Sequence, residues 1–194
     1  MPEDYEPKPV SAQRLRTHAI LAILASALVI VLSGYAQLGS PAADAAPAPT
    51  ATVLRVIDGD TLDVRDDDRG RLRVRVLGID TPEVHRPGWT VGCWGPEAER
   101  FATETLTGQR ITLTADPTQD ANDRYGRTLA YVNLADGRDF SVESVRSGMA
   151  RSYVYDDKPV SRYPDIRAAE DEARAALRGL WGPPCNGRTE STPT

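Results

Sequence analysis

Three strand-like segments separated only by turn signals, between Thr52 and Ile79, constrain the fold of this chain more than any other stretch. Thr52 to Ile57 is rich in β-branched and aliphatic residues, and the Asp58-Gly59 that follows is a two-residue hairpin signal. Asp60 then heads a second strand that continues through Thr61 to Arg65, and Asp66-Asp67-Asp68-Arg69-Gly70 makes another turn. Arg71 to Ile79 alternates arginine with leucine or valine over its first half, the period of a strand with one buried face. Thr81-Pro82 ends it, and a loop runs on to Gly95.

The remaining elements follow in a fixed order. Pro96 is placed as a first helical residue, and Ala98, Phe101, Ala102 and Leu106 recur at helical spacing before Gly108 stops the helix. Ile111 to Ala115 and Thr128 to Leu134 read as two more strands, separated by a polar, turn-rich loop. Ser141 caps a short helix carrying Val142, Val145 and Met149. Asp165 to Leu180 reads as a last helix with Ile166, Ala169, Ala173, Ala176 and Leu177 on one face. Five strands with a helix after the third suggest a small closed barrel of the oligonucleotide/oligosaccharide-binding (OB) type, an α+β, mainly β, fold. Strand counting alone fits an open α+β sandwich nearly as well. Apolar residues at 40% and charged ones at 26% suit a packed core and exclude wholesale disorder.

The first residues read as an address. Ala19 to Leu32 is apolar except for Ser26, Arg14, Arg16 and His18 precede it, and no charge follows until Asp44. That is the layout of an export signal with its basic end kept inside. Ala43-Asp44-Ala45 offers a small-x-small cleavage site, while extension of the run to Leu38 makes retention as a membrane anchor the alternative. The expected organisation is 1–18 as a cytoplasmic basic region, 19–38 as signal core or anchor, 39–50 as an Ala/Pro linker, 51–185 as the folded domain and 186–194 as a disordered tail. The domain is then extracytoplasmic, secreted or anchored, and touches the membrane only through an uncleaved N-terminal segment. Two cysteines in an exported chain, Cys93 and Cys185, invite a disulfide, with metal ligation by two isolated thiols the weaker reading.

A net charge of −5, from 23 basic and 28 acidic residues, excludes a surface that is one basic magnet for nucleic acid. Only His18 and His85 exist, so histidine-rich zinc sites and His-containing triads are poorly supported. The chemistry lies in three short segments. Ile57-Asp58-Gly59-Asp60-Thr61 supplies Asp60; Arg75-Val76-Leu77-Gly78-Ile79-Asp80-Thr81-Pro82-Glu83 supplies Arg75, Asp80 and Glu83; Asp123-Arg124-Tyr125-Gly126-Arg127 supplies Arg127. If these strand ends meet at one rim, three carboxylates and two guanidiniums share a cleft. Carboxylate oxygens suit a hard cation such as calcium, and planar guanidiniums grip a phosphate with paired hydrogen bonds. Those requirements fit metal-assisted hydrolysis of a phosphodiester. Blander readings stand beside this one. Asp58-Gly59 is a plain turn, Asp66 to Asp68 a solvated loop, Arg71 and Arg73 the wet face of a strand, Tyr131 and Trp181 core, and His85 an exposed loop residue.

Taken together, the Asp-Gly-Asp-Thr turn, the Arg75 to Glu83 stretch and Tyr125-Gly126-Arg127 resemble the staphylococcal nuclease family, from Ala51 to Trp181. The resemblance implies the five-stranded OB-fold barrel with three helices. It also implies a calcium-dependent nuclease that acts on DNA and RNA and leaves 3′-phosphates. Asp60, Asp80 and the Thr81 carbonyl match the family's calcium ligands, and Glu83 matches its proposed general base. Arg75 and Arg127 match the arginines that bind the phosphate and stabilise the transition state. Tyr125 and Tyr153 match tyrosines near the nucleotide, and Tyr155 is added as a stacking residue. A monomer is expected. The alternative is a non-catalytic nucleic-acid-binding OB-fold module at the cell surface.

Overall fold

The computed structural model describes residues 48–194. The export segment, its cleavage site and most of the linker lie outside the described residues.

Strands β1 (Ala51–Asp58), β2 (Thr61–Asp66), β3 (Gly70–Val76), β5 (Arg110–Thr114) and β6 (Thr128–Leu134) close into a barrel in the order β1-β2-β3-β6-β5. All neighbours are antiparallel except β3 and β6, which run parallel, and β1 meets β5 through Ala51↔Ile111 and Thr52↔Arg110. Closure leaves no long exposed edge among these strands. The alternation seen in the sequence fills the interior, because successive residues of a strand face opposite sides. Val53, Leu62, Val64, Val74, Val76, Ile111 and Val132 are buried, while Arg73 lies outside and pairs with Asp63 at 2.9 Å.

Three helices pack on the barrel: α1 (Gly95–Leu106), α2 (Phe140–Arg146) and α3 (Tyr163–Ala175). Helix α1 buries Ala98, Ala102 and Leu106, a stripe at helical spacing, and the rings of Phe101 and Phe140 stack 6.1 Å apart. Tyr131 and Trp181 are core residues. The five-stranded barrel with three helices is therefore the fold of the described chain.

Several local expectations are corrected. The third strand stops at Val76 rather than running to Ile79, and Ile79–Asp80 forms a separate strand, β4, paired with β7 (Arg151–Ser152). The break lies at Gly78, at φ 78°, where a Cβ would lie 2.5 Å from Ile166 Cδ1 of α3. Glycine is needed there both for the turn and for the close approach of the helix. Asp139, not Ser141, caps α2, accepting the Ser141 backbone N–H. The last helix ends at Ala175. Leu177 takes φ 51°, and the amides of Leu177 and Arg178 return to Arg174 O and Ala173 O, a Schellman closure. Leu177 is consequently 64% exposed instead of facing the core, and Leu180 is buried from a separate 3₁₀ turn, Gly179–Trp181. Asp66 is not solvated. It is buried, and hydrogen bonds from the Arg69 side chain and backbone hold it down at about 2.

Cys93 and Cys185 are bonded to each other. Residues 186–194, read from the sequence as a frayed tail, instead run back across the loop after Glu83. The amide of Thr90 donates to Thr192 O at 2.8 Å, and that of Thr194 to Gly88 O at 3.0 Å.

Candidate active site

Asp60 does not head a strand; with Gly59 it makes the tight turn between β1 and β2, register Asp58↔Thr61. A Cβ on Gly59 would lie 2.7 Å from Thr81 Cγ2, so its bare backbone lets the turn press against the segment after β4. Asp60 is thereby surrounded by donors. Its Oδ2 accepts the Thr81 amide at 3.0 Å and the Thr81 hydroxyl at 3.1 Å, and its Oδ1 accepts the Thr61 hydroxyl at 3.1 Å.

Arg75 lies opposite Thr61 in the β2–β3 ladder. Its guanidinium forms an ion pair with Asp60 through Nη1 and reaches Asp80 Oδ1 through Nη2 at 2.9 Å. With side-chain exposures of 15% for Arg75 and 7% for Asp60, this is an inner pair. Asp80 sits further out, with its side chain 52% exposed. Its pKa is raised, first by lost solvation on the inner side and then by Asp60 and Glu83, against the pull of Arg75. Glu83 is exposed and accepts the His85 amide at 3.3 Å.

Sequence reasoning treated Asp58 as part of a plain turn. In the structure its carboxylate accepts the Asp60 amide at 3.2 Å. Burial first, and then the charge of Asp60, push it up to about 7. Its position two residues before Asp60 was the available signal, because short acidic side chains bond their own backbone two residues on. Asp123 was also missed. It accepts Arg127 Nε at 2.6 Å and the Arg127 amide at 2.9 Å, and so fixes that arginine just before β6.

Asp60, Arg75, Asp80 and Thr81 thus meet directly, with Asp58 and Glu83 beside them. Among the described residues Arg127 forms its ion pair with Asp123 and none with these groups. It is held on Asp123, in the segment leading into the strand whose Leu129 faces Arg75. Among the described residues no three acidic, imidazole or thiol side chains form a ready-made metal cage, and Arg75 lies between Asp60 and Asp80. Tyr125 and Tyr155 are 68% and 62% exposed, and Tyr153 is partly exposed. The Arg124 guanidinium lies 4.8 Å from the Tyr125 ring centre, and that of Arg127 lies 5.3 Å from it. His85 is exposed, 3.2 Å from Glu99.

The family model described as "Staphylococcal nuclease homologue" matches residues 73–183, more than half of the chain. The chain belongs to the staphylococcal nuclease family. It is 37% identical over 163 residues to a thermonuclease of Staphylococcus intermedius, covering 82% of this chain and 94% of that protein. A thermonuclease of Staphylococcus hyicus is 34% identical over 170 residues, covering 85% of this chain and 96% of the relative. Endonuclease YncB of Bacillus subtilis is 36% identical over 132 residues, 67% of this chain and 60% of that protein. The chain is therefore a thermonuclease homologue, a nuclease that acts on phosphodiester bonds.

Proposed function

We propose that this family member is a calcium-dependent extracytoplasmic nuclease that hydrolyses DNA and RNA by water attack and leaves 3′-phosphates. The observation that carries the reading is the Arg75 guanidinium bridging Asp60 and Asp80 at a rim where carboxylates outnumber it. Asp60 and Asp80 face one inner arginine, with Glu83 beside Asp80, and a phosphate would be repelled unless a cation offset the excess. Two carboxylates and the Thr81 carbonyl offer oxygen donors only, the set a hard divalent ion prefers. This donor set fits calcium, with Asp60, Asp80 and Thr81 as the residues that would hold it. Bound there, the ion supplies charge neutralisation and polarisation of a phosphoryl oxygen.

The chain's own groups do the rest. Glu83, exposed at the edge of the cluster, takes the proton of the attacking water. Arg75, fixed by two carboxylates, and Arg127, fixed along its Nε edge by Asp123, donate to phosphate oxygens as charge builds in the transition state. Tyr125, Tyr153 and Tyr155 offer faces on which nucleotides rest. The export-like segment at 19–38 and the disulfide support placement outside the cytoplasm, with 51–185 as the catalytic unit.

The test is digestion of single-stranded DNA and RNA with calcium and with chelator, on the parent enzyme and on Glu83→Ala and Arg127→Ala. Cleavage is expected to stop in chelator, and turnover to fall by about 10²–10⁴-fold in Glu83→Ala with the circular dichroism unchanged. Full cleavage in chelator overturns the metal assignment. Nucleic-acid binding without any cleavage by the parent enzyme favours the non-catalytic module.

A further inference from the structure

Among the described residues the Glu83 side chain accepts one hydrogen bond, from the His85 amide, so its position depends on where the backbone carries it. That backbone is backed by two further layers. Glu83 O accepts the Gly92 amide at 2.7 Å, and a Cβ on Gly92 would lie 3.1 Å from Glu83 N on one side and 2.7 Å from Thr189 O on the other. Gly92 is therefore the thin spacer between Glu83 and the returning segment 187–194. The next residue, Cys93, is bonded to Cys185, just before that segment. Thr90 and Thr192 add a reciprocal pair: the Thr90 amide donates to Thr192 O at 2.8 Å, and the Thr192 amide to Thr90 Oγ1 at 2.9 Å.

Arg151 ties this assembly to the carboxylate cluster. Its backbone faces Asp80 across the β4–β7 pair. Its guanidinium donates to Gly187 O and, at 2.9 Å, to Thr189 Oγ1. The strap is thus registered against the strand that carries Asp80, and the Glu83 loop is registered against the strap. Loops without such fastening open at low free energy, and a displacement of about 1 Å at a reacting group lowers turnover by about 10²-fold.

We propose that the Cys93–Cys185 bond and residues 187–194 form a clamp that positions Glu83 beside Asp80 and Arg75, so that full turnover requires the oxidised, strapped chain. The inference rests on the reading of Glu83 as general base. Opening the covalent part needs a dithiol reductant, which supplies two electrons and two protons to give two cysteine thiols and leaves as its own cyclic disulfide.

The test compares kcat and KM on a single-stranded DNA oligonucleotide with calcium for three forms. These are the oxidised enzyme, the dithiol-reduced enzyme, and a variant lacking residues 187–194 with the disulfide intact, each repeated in the Glu83→Gln background. Should reduction unfold the protein by near-ultraviolet circular dichroism, the truncated variant alone decides. Expected are a fall in kcat of about 10- to 100-fold with KM changed less than about 2-fold, and no further fall from truncation once Glu83 is Gln. A folded, truncated enzyme with parental kcat overturns the clamp while leaving an impaired Glu83→Gln in place. Equal losses from truncation in both backgrounds overturn it as well, because the strap would then act through other groups. Parental turnover in Glu83→Gln alone overturns the base assignment instead.

Discussion

Asp116 offers a sharp test of how this barrel is held together, and replacement by asparagine is the perturbation. Its buried carboxylate follows β5 and gathers donors from three regions. Oδ1 accepts the Thr118 amide at 2.8 Å and hydroxyl at 2.7 Å, while Oδ2 accepts the Tyr131 hydroxyl at 2.5 Å and the Ser161 amide at 2.6 Å. Burial pushes its pKa up, but these bonds outweigh it and hold the group well below the usual carboxylate range. The same contact, after burial, helps push the Tyr131 phenol up to about 12. Asparagine keeps the shape but sets an NH₂ group against at least one pair of donors. Two lost hydrogen bonds to a charged group, at about 1.5–3 kcal/mol each, predict a destabilisation of about 3–6 kcal/mol at pH 7.

The sign of the pH effect follows from linkage. A carboxylate depressed in the folded state contributes stability that is present above its unfolded value of 3.8 and is lost as pH falls towards the folded one. At 1.36 kcal/mol per unit, the gap between parent and Asp116→Asn shrinks by about 1 kcal/mol between pH 7 and pH 3. Urea denaturation at both pH values measures it. A variant within about 0.5 kcal/mol of the parent at pH 7, or a gap of constant size down to pH 3, would refute the reasoning.

Three other outcomes are expected. Leu177→Gly removes a side chain that is exposed and sits at φ 51°, and it raises stability by about 0.5–1 kcal/mol in a thermal melt; a lowered Tm contradicts the Schellman assignment. Replacing Cys93 and Cys185 together by serine opens a cross-link spanning 92 residues, and chain entropy predicts a loss of about 4–5 kcal/mol by urea titration; a loss under about 1 kcal/mol would place the constraint elsewhere. Lys158 is the only lysine beyond residue 50, so fewer phosphates are neutralised and the salt dependence of DNA binding is shallower than in a lysine-rich relative; equal slopes in parallel titrations exclude this.

Much of this protein could be read directly from the letters, and the reason is locality. Alternation along Arg71 to Val76 states which face is wet, the Asp-Gly-Asp stretch announces a hairpin, and Ala98, Ala102 and Leu106 mark the buried stripe of α1, because each pattern depends on neighbours within a turn or a pleat. The types of the site residues were equally legible: acids and arginines, with histidine too scarce to serve.

Contacts between distant segments, and side-chain or helix-end bonds within short turns that periodicity does not state, settled the rest. Nothing local says that the strand must break at Gly78, since the cause is Ile166 arriving from α3. Leu177 closes its helix in a conformation that a glycine would have advertised, so the helical period runs misleadingly on to Leu180. Asp58 becomes part of the carboxylate cluster only because the β1–β2 turn folds its side chain back on the Asp60 amide. Arg127 is directed by Asp123, and the final residues find the Glu83 loop across a gap that no sequence window spans. Periodicity encodes which side of an element faces inward, whereas the partner it meets there is chosen by packing and electrostatics summed over the whole barrel.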